Sequence, residues 1–154
     1  GLNAQIAGEM EDAVGIYTDL LDLQLDNFTL SVVLNHRGMA SESLDRHSDA
    51  VSDFVKASAA DPKNARARIN LALAWRRLGR LEEAEAEFRE VLGFKANSAH
   101  AHYGLALVLS DRGDVADAIL SCQRALKLSH TFTQAQQLLE ELLEHSRREA
   151  GGGS

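Results

Sequence analysis

Proline occurs once, at Pro62, and glycine is sparse ahead of the closing run, so little in the body of the chain interrupts a helix. The single cysteine, Cys122, excludes an internal disulfide and demands no oxidising compartment. No stretch approaches the roughly 18 apolar residues of a membrane span. The start, Gly1-Leu2-Asn3, has neither a basic nor an apolar leader region. No membrane insertion is expected, and a cytoplasmic location follows as an expectation. Lysine and arginine form no block and do not interleave with aromatics, and the formal charge is -7, which argues against nucleic acid as partner. Phosphate-cradling glycine loops, Gly-x-Ser-x-Gly elbows and His-Glu-x-x-His pairs are missing from the sequence, so no enzyme activity and no cofactor are expected. What remains is 154 residues with 45% hydrophobic content, enough for one core, and an all-α reading.

Ala13, Ala50, Ala84 and Ala118 recur at an interval of about 34 residues, slightly longer between the first two, a period typical of stacked helical repeats. Four residues after each stands Tyr17, Phe54, Phe88 or Cys122, and three beyond that Leu20, Ala57, Val91 or Ala125. Ala65 to Ser98 is the clearest unit, with apolar faces on both sides of Gly79. Gly79 and Gly113 fall where a first helix must end in a left-handed residue. Asp45 fills the same slot one repeat earlier, and Gly8 is expected to do so in the first unit. The spacing predicts helices over 2–7, 10–23, 28–44, 46–60, 65–78, 81–94, 98–112, 115–128 and 132–148. The longer first interval places extra residues near Leu25 to Leu30.

This pattern resembles the tetratricopeptide repeat family: Gly38, Ala72 and Ala106 match its small first-helix residue, and Ala50, Ala84 and Ala118 its second-helix alanine. Phe54 and Phe88 match the aromatic, Ala57 and Ala125 the next alanine, and Pro62 the closing proline. Cys122, Val91, Ala96, His130 and Trp75 depart from it. The resemblance implies tandem helix-turn-helix repeats stacked as a right-handed α-solenoid in a single domain over 1–149. Within it lie a partial repeat over 1–27, repeats over about 28–64, 65–98 and 99–132, and a capping helix over 132–149. Residues 150–154 read as a flexible linker or tag remnant.

The resemblance also implies a non-enzymatic interaction module whose first helices line a concave groove for an extended peptide or helical segment. The lining residues are then Asn35, His36, Met39, Arg66, Ile69, Asn70, Leu73, Arg77, His100, Tyr103 and Leu107, with Gln134, Gln137 and Glu141 on the cap. Arg66, Arg76 and Arg77 favour a partner with acidic or C-terminal carboxylate character. The clamp by which family members hold the EEVD tail of chaperones is incomplete, because Met39, His100 and Gly104 occupy corresponding positions. Alternatives are a recruiting or regulatory arm of a longer enzyme, or a scaffold unit. The chain is then a monomer, or a weak homo-oligomer through an N-terminal edge at Ile6, Val14 and Tyr17.

His100 and His102 stand roughly 200 degrees apart on a helix, so they do not face one ion, and no histidine pair has the i, i+4 spacing of a metal site. Cys122 reads as a small apolar core residue and Trp75 as core between helices. The glutamates of 82–90 read as a solvated face carrying the like-charge pair Glu83 and Glu87.

Overall fold

The computed structural model describes residues 2–153. Among them are eight helices and no strand: α1 (Leu2–Leu21), α2 (Asn27–Ser43), α3 (His47–Ala60), α4 (Ala65–Arg77), α5 (Leu81–Phe94), α6 (Ala99–Arg112), α7 (Val115–Leu128) and α8 (Thr133–Gly151). Six of these match their expected bounds within two residues. The expected break at Gly8 is absent: α1 runs through it, and Gly8 lacks the positive φ of a turn. A six-residue helix over 2–7 is too short to stand alone, whereas continuing the hydrogen-bond ladder adds one bond per residue fixed. The break after α1 falls at residues 22–26, and Phe28 and Leu30 already belong to α2. Gly151 closes α8 rather than starting a linker; Gly1 and Ser154 lie outside the described residues.

Three inter-helix turns carry the expected left-handed residue, with φ of 74° at Gly79, 85° at Gly113 and 58° at Asp45. The starts of α2 and α6 are held by side chains. Asp26 accepts from the Thr29 amide at 2.9 Å and from its hydroxyl at 2.7 Å, and Ser98 accepts from the Ala101 amide at 3.2 Å. These bonds to the carboxylate hold Asp26 below the usual aspartate pKa.

The chain falls into two units, up to Ala74 and from Trp75, with α4 running through the division. In the first unit α1 packs on α2 and α2 on α3. Leu34, Ala57 and Ala67 form a core flanked by Leu21 and Leu30. Gly38 makes the α2–α3 approach possible: a Cβ there would stand 2.6 Å from Phe54 Cε1. The ends are stitched by polar bonds, Ser31 donating to the Ala57 carbonyl at 2.7 Å and Asn64 Nδ2 to Ser31 Oγ at 2.8 Å. Arg37 forks onto Asp53, Nε to Oδ2 at 2.8 Å and Nη2 to Oδ1 at 2.7 Å. That bidentate bond raises the arginine pKa further and satisfies a buried carboxylate.

In the second unit α5 packs on α6, α6 on α7 and α7 on α8. Ala84, Phe88, Val91, Ala118, Cys122 and Ala125 are wholly buried, as the repeat phase requires. A Cβ at Gly104 would meet Phe88 Cε1 and Cζ at 2.2 Å, so glycine admits the ring. Trp75 is half-buried rather than core, with the Arg80 guanidinium 4.0 Å over its ring. The acidic run on α5 is partly paired: Arg80 with Glu83 at 2.6 Å, Arg89 with Glu85 at 2.7 Å, and Arg112 also with Glu85.

One regularity joins α8 to the repeats. Ala67, Ala101 and Ala135 recur at the same interval as the second-helix alanines and are wholly buried. The next residue in each case bonds a carbonyl six positions back: Arg68 to Pro62 at 2.7 Å, His102 to Ala96 at 3.0 Å, Gln136 to His130 at 2.9 Å. α8 therefore begins as a first helix of a repeat.

Candidate functional site

The expected groove residues fall in both units. In the first unit, Asn70 Nδ2 donates to Asn35 Oδ1 at 2.9 Å, fastening the facing sides of α4 and α2. Asn35 is 3% exposed, so its carboxamide is committed to this bond and not open to a ligand. The resemblance places Asn35 on the groove surface; it lies instead buried on the α2 side bonded to Asn70 of α4, a distinction that needs the neighbouring helix. One turn on, Met39 is 47% exposed. Ile69 and Leu73 are half-buried on α4, and Arg66 is exposed. His36 Nδ1 donates to the Val32 carbonyl at 2.8 Å, and its ring lies 5.9 Å from that of Tyr17. It therefore braces α2 against α1.

In the second unit, Tyr103 and His100 project from α6 onto Phe132, with ring centroids 4.9 Å and 5.0 Å away. Phe132 precedes α8 and is not among the expected groove residues. Its signal is an aromatic at the break between two helical patterns. Tyr103 is half-buried, as is Leu107, and desolvation raises the phenol pKa. Arg77 is exposed. Arg76 does not supply the positive field expected of it: Nε bonds Asp111 Oδ2 at 2.6 Å and Nη2 bonds Oδ1 at 3.2 Å. A carboxylate on the next repeat's first helix neutralises that guanidinium, so Arg76 adds nothing to the expected face. On the cap, Gln134, Gln137 and Glu141 are exposed.

Other concavities are polar and open. A cleft of about 350 Å³ in the first unit is lined by Thr18 of α1, Arg37 and Ser41 of α2, and Asp53 and Lys56 of α3. The Arg37 guanidinium and the Asp53 carboxylate in it bond each other. His100 is exposed while His102 is buried, so the two diverge as their spacing predicts. Among the described residues no three His, Cys, Asp or Glu side chains gather as a metal site, and no helix is long and apolar enough to cross a membrane. Cys122 is buried, and desolvation pushes its thiol up to about 11, the opposite of a nucleophile's setting.

Two tetratricopeptide repeat models match the sequence, over residues 43–108 and 94–131, together more than half of the chain. Mouse sperm-associated antigen 1 is 28% identical over 154 residues, covering all of this chain, which spans 16% of that relative's length. The crystal structure of MamA superposes with a TM-score of 0.79 at 21% identity, covering 90% of this chain and 80% of that one. The first TPR of Spaghetti (RPAP3), bound to the HSP90 peptide SRMEEVD, gives 0.75 at 19% identity, covering 78% and 95%. The Arabidopsis OM64 TPR domain gives 0.73 at 20% identity, covering 77% and 98%. Matched repeat models, helix pairs turning at left-handed residues, and alanines wholly buried at the repeat interval agree: the chain belongs to the tetratricopeptide repeat family.

Proposed function

We propose that the chain is a non-enzymatic interaction module whose first-helix faces take an extended peptide of acidic or C-terminal carboxylate character. The carrying observation is the Asn70–Asn35 bond, which fixes α2 and α4 side by side while Met39 beside it stays 47% exposed. A pinned face with exposed and half-buried apolar side chains, bordered by Arg66, offers side-chain contact and charge to an extended chain. In this reading Met39, Arg66, Ile69 and Leu73 offer peptide contacts on the first unit, and Arg77, His100, Tyr103 and Leu107 offer them on the second. Asn35, Asn70 and His36 hold the helices that present them. Residues 28–64, 65–98 and 99–132 are the three complete repeats.

Solved relatives support a peptide-binding role, since TPR domains of RPAP3 are described with the HSP90 peptide SRMEEVD and the HSP70 peptide SGPTIEEVD. Met39, His100 and Gly104 stand at corresponding clamp positions here, so the chaperone tails themselves should bind weakly. A peptide library with free C-terminal carboxylates, selected against the full chain, should enrich acidic sequences. Their binding should fall at least tenfold in the Arg66→Glu, Arg77→Glu double variant and on amidation of the terminus. Selection of no sequence class, or affinity indifferent to both changes, would overturn the reading. A second reading, that these residues are the recruiting arm of a longer protein, rests on the 16% of its relative that the chain spans.

A further inference from the structure

Acidic residues are missing from two long stretches of the second unit. None occurs between Glu90 and Asp111 or between Asp117 and Glu140, although the whole chain carries a net charge of -7. The first stretch includes the last turn of α5, the α5–α6 loop and the start of α6; the second includes the end of α7, the α7–α8 loop and the start of α8. Packing of α5 on α6, α6 on α7 and α7 on α8 brings both loops to one end of the unit, where the His100 ring lies 5.0 Å from that of Phe132.

The cations at this end are unspent. Lys95, Arg124 and Lys127 are exposed and make no ion pair among the described residues. Elsewhere in the unit the guanidinium groups of Arg76, Arg80 and Arg112 are paired with Asp111, Glu83 and Glu85. The contrast follows from the sequence, because a cation pairs only where an acid is within reach; the last acid before Phe94 is Glu90, one turn earlier.

Apolar side chains stand among these cations. Phe94 is 37% exposed and Leu128 45%, and the two hold the same slot of successive repeats. Lys95 follows the first directly, Lys127 precedes the second, and Arg124 stands one turn before it. One repeat earlier the slots of Phe94 and Lys95 hold Ala60 and Asp61, so the first unit has neither the bulk nor the charge. Both loops are pinned. His102 Nε2 bonds the Ala96 carbonyl at 3.0 Å, and Gln136 Nε2 donates to the His130 carbonyl at 2.9 Å. A surface already fixed loses little freedom when something docks on it. Each loop joins two helices that the chain itself packs, so the surface is bounded by its own elements.

Charge selects the occupant. Exposed apolar groups beside unpaired cations complement a segment that intersperses carboxylates with apolar residues. A lipid surface or a nucleic acid fits worse: an extended polyanion meets the repulsion of the whole acidic chain, whereas a short segment feels only charges within a Debye length, about 10 Å.

We propose that this end of the second unit docks an acidic, apolar-bearing segment of a partner protein, with Phe94 and Leu128 taking its apolar side chains and Lys95, Arg124 and Lys127 its carboxylates. The groove residues stand on first helices, whereas Phe94 and Leu128 stand on second ones. The proposal therefore goes beyond the peptide-groove reading and does not depend on it.

The test is fluorescence anisotropy with the full chain and labelled probe peptides of about ten residues, blocked at both ends. One alternates aspartate with leucine, a second replaces each aspartate by asparagine, and a third replaces each leucine by serine. The first should bind in a salt-sensitive way and the other two at least tenfold more weakly. Lys95→Glu with Lys127→Glu, and separately Phe94→Ser with Leu128→Ser, should each lower the first affinity at least tenfold. Glu90→Lys should raise it. Lys56→Glu, at an exposed residue of α3 two repeats before Arg124, should leave it unchanged. Circular dichroism checks that the variants stay helical, and the two exposed lysines give a test that leaves the apolar packing alone. Equal binding of the three peptides, binding of none, or indifference to the lysine changes would overturn the proposal. So would binding that survives those changes but is lost on Arg66→Glu, Arg77→Glu, which would refer the peptide to the groove. A mass that rises with concentration in light scattering and is abolished by Phe94→Ser with Leu128→Ser would make a second copy the occupant and overturn it too. Pelleting with phosphatidylserine vesicles that is abolished by the lysine changes would do the same in favour of a membrane.

Discussion

Gly104→Ala probes the repeat where it is tightest. Alanine is the better helix former by about 1 kcal/mol, so propensity alone would stabilise α6. Against this, the added methyl would stand 2.2 Å from both Phe88 Cε1 and Cζ and 3.0 Å from Cδ1. The ring is stiff and 0% exposed, so it has no free space into which to retreat. Overpacking a dense core costs about 1–3 kcal/mol, and contact with ring carbons rather than a flexible chain end points to the upper half. The net expectation is a loss of about 1–2 kcal/mol. For a chain of this size that lowers the melting temperature by about 2–8 °C. Gly93→Ala is the matched control, because Gly93 is exposed in α5 with nothing within 4 Å of the added carbon. It should gain up to about 1 kcal/mol. Thermal melts of the two variants beside the parent decide the matter, and a Gly104→Ala variant melting at or above the parent refutes the packing argument. Phe88→Leu should relieve the clash, so the double variant should lose less than the sum of the singles.

Arg37→Ala should cost about 2 kcal/mol in urea unfolding, because it strands the buried Asp53 carboxylate; Arg37→Met with Asp53→Leu should recover most of that loss. Cys122 should resist a disulfide reagent at pH 8 in the folded chain and react at once in urea. Its raised thiol pKa contributes stability that is fully present below the ordinary value of 9 and lost as pH rises through about 11, so the parent should weaken more across that window than Cys122→Ala. Gly113→Ala should lose about 1 kcal/mol or more at its φ of 85°, whereas Asp45→Gly, at 58°, should lose nothing or gain, as read by melting temperature.

Helix existence and most helix ends were legible in the chain because they depend on near neighbours. Scarce proline, apolar spacing and a residue tolerant of positive φ at Asp45, Gly79 and Gly113 suffice to place three hairpins. The repeat alanines were legible for a related reason: tight helix contact admits few side chains, so the constraint is written as residue type. The same local logic failed at Gly8, where a glycine alone cannot end a helix unless a partner helix makes the chain turn back. Only tertiary structure could show that Asn35 is spent on Asn70, that Arg76 is neutralised by Asp111, and that Phe132 joins His100 and Tyr103. The members of each set stand roughly one repeat apart in the chain, and whether two polar side chains meet depends on which sides of neighbouring helices face each other. The sequence by itself determined the fold and its period; the packed helices decided which expected binding residues remain open to a partner.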